Sequence, residues 1–125
     1  MENDKKSELE QWLEALCSDP FSSILDETVF RVDVFETETE YIVESELINC
    51  TKEQIFVTCE NDALIIQVHE NENINKQRVV HLPFPLLNKN IRAYFTSPIL
   101  EIHISKEISA NHPNRYMITI HEIDL

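Results

Sequence analysis

From Phe30 to Ile104 the apolar residues recur at every second position, in seven short runs, and this alternation most constrains the fold. Phe30, Val32 and Val34 open it, and Tyr41, Val43, Ser45 and Leu47 follow. Ile55, Val57 and Cys59 come next, then Leu64, Ile66 and Val68, then Val80 and Leu82. Ile91, Ala93 and Phe95 precede Leu100, Ile102 and Ile104. A strand turns successive side chains to opposite faces, so each run presents one apolar face to a core and one polar face to water. Runs this short, spaced about ten residues apart, fit a sandwich of antiparallel sheets. The expected fold class is all-β: an antiparallel, immunoglobulin-like β-sandwich.

The chain contains no glycine. Phosphate-cradling loops, the dinucleotide fingerprint and the nucleophile elbow all need glycine where the backbone turns sharply or approaches a ligand, so each is excluded. Hairpins that ordinarily use Asn-Gly must rely on Asn, Asp and Pro, which tolerate or pre-set turn geometry. Asn61-Asp62, Asn71 to Asn75, Asn88 to Asn90 and Asn111 to Asn114 stand where such turns are needed.

With 125 residues, the chain has material for one core and not for two. Its net charge of −13 repels nucleic-acid phosphates and anionic membrane surfaces and favours basic partners. No window approaches the roughly 18 apolar residues a transmembrane helix requires, so no membrane insertion is expected. The polar start, Met1-Glu2-Asn3-Asp4, lacks the features of a secretory leader, which implies synthesis in the cytoplasm. Cys17, Cys50 and Cys59 form no CxxC pair and read as reduced thiols.

Three segments follow from the patterning. Residues 1–28 are acidic, with Leu9, Trp12, Leu13 and Leu16 at helical spacing, Ser7 and Glu10 placed as a capping box, and Pro20 as a stop. A helix this short needs a surface to lie on. Trp12, Leu13 and Leu16 therefore read either as packing on their own domain or as a contact for a second subunit or client. Residues 29–106 hold the sandwich. Thr51 to Gln54 reads as a single helical turn with Thr51 as its cap. Residues 107–125 form a linker followed by an extended apolar tail.

His69, His81 and His103 fall at outward strand positions, but no carboxylate partner is fixed by spacing, so neither a metal site nor a base is expected. Cys59 shares the inward parity of Ile55 and Val57, and a buried thiol is inert, which rules out a Cys59–His69 pair. Glu36, Glu38 and Glu40 read as a charged hairpin tip in water. Asn49-Cys50-Thr51 is a glycosylation sequon in spelling alone. No catalytic residue, metal or cofactor is expected.

The ordered set of signals resembles the α-crystallin (small heat-shock protein) family. The match lies in Val32-Asp-Val-Phe-Glu-Thr37, Tyr41-Ile-Val-Glu-Ser-Glu-Leu47, Thr51-Lys-Glu-Gln-Ile55 and Glu60-Asn-Asp-Ala-Leu-Ile-Ile66. It continues in Ala93 followed by Pro98-Ile99-Leu100, where Pro98 stands in place of the family's glycine, and in Ile118-Thr-Ile120, the family's Ile-x-Ile tail. Ile48-Asn49 replaces the family's usual Pro-Gly. About ten residues separate Val68 from Val79, too few for the strand that bacterial members exchange between subunits, which argues against swap-type dimers. Gln11-Trp12-Leu13, Asp19-Pro20-Phe21 and Asp26-Glu27-Thr28 resemble the spore-coat type of the family in spore-forming bacilli.

The resemblance implies a non-enzymatic, ATP-independent, self-associating protein that takes part in assembling a spore coat, or else a cytosolic holdase for unfolded clients. Its partners would be its own copies and other polypeptides. It further implies that Ile118 and Ile120 enter a groove between the strand at 55–59 and the strand at 91–95. Ile55, Val57 and Ile91 would line that groove. A neighbour's groove is favoured slightly over the chain's own.

Overall fold

A computed structural model describes residues 30–70 and 75–123. Nine strands form within them: β1 (Val32–Glu36), β2 (Glu40–Glu46), β3 (Ile55–Glu60), β4 (Ala63–His69), β5 (Asn75–His81), β6 (Lys89–Thr96), β7 (Ile99–Ile108), β8 (Arg115–Ile118) and β9 (Ile120–Glu122). They build two sheets, one ordered β1-β2-β7-β6-β9 and the other β5-β4-β3-β8. Each expected alternating run lies in one of these strands or at its border. The segment 1–28, with its expected helix and the side chains Trp12, Leu13 and Leu16, lies outside the described residues.

The inward residues meet as one core. Val43, Val57, Cys59, Leu64, Ile66, Leu86, Ala93, Leu100, Ile102 and Ile104 are fully shielded from water. Interdigitated apolar side chains from the two facing sheets are what hold such a sandwich together.

Asparagine takes over glycine's work where the backbone must turn left-handed. Asn61 (φ 56°) lies in the β3–β4 hairpin turn, and Asn49 (φ 61°) lies where the family's Pro-Gly is replaced. Asn tolerates this region better than other residues with a Cβ. Ser97-Pro98, a cis pair, turns β6 into β7. Between β2 and β3 the chain makes a single 3₁₀ turn, Lys52–Gln54. There the Gln54 side-chain oxygen accepts a hydrogen bond from the Thr51 backbone N–H at 2.8 Å, the reciprocal half of a capping box.

Three expectations need correction. β5 begins at Asn75, four residues ahead of the Val79-Val80 run, because Asn75 to Arg78 pair with β4 in the outermost described strand of their sheet without an apolar alternation to reveal them. β7 runs to Ile108, so strand extends two residues past the expected boundary at 106. The acidic turn is also more than a solvated tip. Glu38 is exposed, but Glu36 bonds the Lys106 ammonium at 2.7 Å and Glu40 reaches Arg92 and His103.

Candidate functional site: the tail groove

The tail joins both sheets on one side of the sandwich. β8 runs antiparallel to β3, pairing Glu60 with Arg115, Cys59 with Tyr116, Thr58 with Met117 and Val57 with Ile118. One residue later the chain changes sheets. β9 runs parallel to β6, pairing Ala93 with Ile120, Tyr94 with His121 and Phe95 with Glu122. The Ile123 N–H donates to the Phe95 carbonyl at 3.0 Å and ends the ladder.

Alternation explains the seating of the isoleucines. Ile118 and Ile120 are two residues apart in extended backbone, so both point the same way while Thr119 between them stays exposed. Each is 7% exposed and belongs to the core cluster. Ile55 and Val57 form the β3 wall, buried at 3% and 0%. On the β6 wall the residue opposite Ile120 is Ala93, fully buried, whereas Ile91 is half-buried one inward position away. The small Ala93 side chain leaves room for the isoleucine, a role the sequence does not announce. With a single chain present, the groove is filled from within that chain.

The connection to the tail is strapped to the domain. Ser109 and Ala110 N–H groups donate to the Asn88 carbonyl at 3.0 and 3.2 Å, and the His112 N–H donates to the Leu87 carbonyl at 2.9 Å. The Asn61 N–H reaches the Asn114 carbonyl at 3.4 Å. His112 stacks on Tyr116 with centroids 4.3 Å apart. These contacts hold residues 109–116 against the loop that follows β5 and against the β3–β4 turn, and fix where β8 begins.

Among the described residues the groove's one thiol is a withdrawn group. Cys59 is fully buried, and burial pushes its thiol above the ordinary range, so little thiolate forms. Cys50 is raised as well, by burial and by the nearby Glu70 carboxylate. Burial also drives the Tyr116 phenol above its ordinary value.

A polar cluster sits on the outer face of the first sheet. The His103 ring lies with Nδ1 3.2 Å from Glu40 and Nε2 3.0 Å from Glu101, while Arg92 bonds Glu40 at 2.7 Å. A carboxylate only accepts, so both contacts are hydrogen bonds when both ring nitrogens carry protons. The hydrogen bond from His103 holds the Glu40 carboxyl below the ordinary carboxylate range, Arg92 adds to this, and burial opposes it. The sheet brings these groups together from β2, β6 and β7, at separations that spacing along the chain does not reveal. His69 and His81 lie at opposite ends of the β4–β5 ladder. Among the described residues no group of three or more His, Cys, Asp or Glu side chains is placed to hold a metal ion. Among them, too, no helix is long and apolar enough to cross a membrane.

The family model described as the HSP20-like domain found in ArsA matches residues 38–104, the body of the sandwich. The chain belongs to the HSP20-like, or small heat-shock protein, family. Within that family it is 30% identical over 99 residues to Spore coat protein M of Bacillus subtilis (strain 168), covering 79% of this chain and 74% of that protein. Solved small heat-shock proteins share the fold. The Del-C4 mutant of hsp14.1 from Sulfolobus superposes with a TM-score of 0.56 at 17% identity, over 82% of this chain and 99% of that one. Heat shock protein 16.0 from Schizosaccharomyces pombe gives 0.52 at 21% identity, over 68% and 94%. The HSP20-like fold thus accounts for the two sheets, and the tail groove is the feature of this chain in which two expected functional isoleucines meet.

Proposed function

We propose that this HSP20-like protein is a non-enzymatic, ATP-independent, self-associating module that takes part in assembling the bacterial spore coat. The observation that carries this reading is the similarity to Spore coat protein M. That match covers 79% of this chain and 74% of that protein, a longer stretch than the 38–104 of the domain match.

In this reading the tail works as a latch. Ile118 and Ile120 fill the groove of their own chain against Val57 and Ala93, and the strapped connection at 109–114 keeps them there. Among the described strands β1 and β5 stand at sheet edges, and these edges with the outer faces are the surfaces offered to other chains. Trp12, Leu13 and Leu16 add an apolar contact for a second copy or for another coat polypeptide. Family membership equally supports a second reading, a cytosolic holdase that captures unfolded clients through the same surfaces.

A fluorescently tagged copy followed through sporulation separates the two. Signal around the forespore periphery is the expected result. Diffuse cytosolic signal that rises on heating supports the holdase, and diffuse signal indifferent to both sporulation and heat contradicts the coat assignment and the holdase alike.

A further inference from the structure

The two outer faces of the sandwich carry opposite chemistry. On the first sheet Asp33, Glu44 and Glu101 stand directly across from one another on β1, β2 and β7, with Glu40 and Glu46 on the same face and Arg31 and Arg92 among them, so carboxylates outnumber cations there. Like charges directly opposite one another on a sheet are destabilising, and bringing a second such surface against them adds to the repulsion.

The second sheet differs. A single row of residues in register, Met117, Thr58, Ile65 and Val79, crosses all four of its strands on the outer side. Met117 is 62% exposed and Val79 42%. Phe56 lies beside this row, its ring 4.7 Å from that of His69. The formal charges at the outward strand positions are Glu60 and Arg115, which are bonded to each other. Beside them Gln67 Nε2 donates to Gln77 Oε1 at 3.0 Å. Covering this face therefore strands few polar groups, and unmatched polar desolvation is a chief cost of association. A shallow depression of about 500 Å³ lies among Phe56, His69 and Met117.

The geometry points to a face-to-face contact between two copies of this chain through the outer surface of β5-β4-β3-β8, centred on Ile65, Val79 and Met117. The charge distribution selects the occupant. Copies of a chain of net charge −13 repel one another, and this face carries no excess charge of its own. A basic partner would settle on the acidic sheet instead. In a two-fold pair the same patch meets itself, so the exposed Met117 of one copy is set against the depression of the other. The inference rests on the self-association proposed above and assigns it a surface.

Light scattering behind size-exclusion chromatography tests it on the full chain and on a Val79→Glu, Met117→Glu variant, each checked by circular dichroism. Both side chains are exposed, so the fold is expected to persist while the mass falls at least twofold. Phe35→Glu, at a 49% exposed position on the acidic sheet, is expected to leave the mass unchanged. If the double variant does not fold, Met117→Glu alone supplies the same comparison. An assembled wild type whose mass survives the variant overturns the face and leaves self-association standing. Dissociation by Phe35→Glu to the same extent moves the contact to the β1 side and also overturns it. A wild type that is a single 14.7 kDa chain at every concentration removes the contact and the self-association together.

Discussion

Val57 and Ile118 face each other across the antiparallel β3–β8 ladder, both withdrawn from water, and the tail's position follows from that pairing. Truncating a buried isoleucine to alanine removes transfer free energy and leaves a cavity, about 2 kcal/mol or more per site. The Ile118→Ala, Ile120→Ala double variant is therefore expected to lower the melting midpoint by roughly 10 °C or more for a domain this size. Its mass in light scattering is expected to stay that of the wild type. A midpoint that holds while the mass drops would show that the isoleucines sit in a neighbour's groove.

Acid should act on the cluster around Glu40. Its carboxyl is depressed in the folded protein, first by the His103 hydrogen bond and then by Arg92. Between the folded value and the unfolded value of about 4.3, the unfolded chain binds the extra proton, so stability rises with pH through that window. The contribution is fully present above the unfolded value and is lost as pH falls through the folded one. Glu40→Gln removes it. The gap in melting midpoint between wild type and variant is expected to narrow as pH falls below about 4.3. A gap that widens with acid contradicts the assignment.

How far the sequence announces its structure differs from element to element. Val43, Ile66 and Ile102 declare their strands because a buried face must be apolar at alternate positions. The start of β5 does not, because Asn75 and Gln77 lie on an edge strand where ladder hydrogen bonds, not burial, set the pairing. Ile118 and Ile120 stand two residues apart in an extended stretch, a spacing that the sequence displays directly. Ala93 as the residue opposite Ile120 is not displayed, since what matters there is the absence of bulk. The Glu40–Arg92–His103 cluster was hidden for a different reason. Its members come from three strands, and only the sheet order brings them together.

Asn61 carries a position that most chains give to glycine. At φ 56° a Cβ-bearing residue without a compensating side chain is expected to cost about 1 kcal/mol. Asn61→Ala should lower the urea midpoint accordingly. Asn61→Gly should match or slightly exceed the wild type, because the backbone bonds from Asn61 N–H to Asn114 and from Leu86 N–H to Asn61 survive both changes. Equal midpoints for alanine and glycine would contradict a conformational origin.

Self-association is the claim on which the assembly role depends, and sedimentation velocity of the purified full chain over a hundredfold concentration range measures it directly. The expected result is a dominant species at two or more times the 14.7 kDa chain, dissociating towards that mass only on dilution. A single 14.7 kDa boundary at every concentration would contradict it.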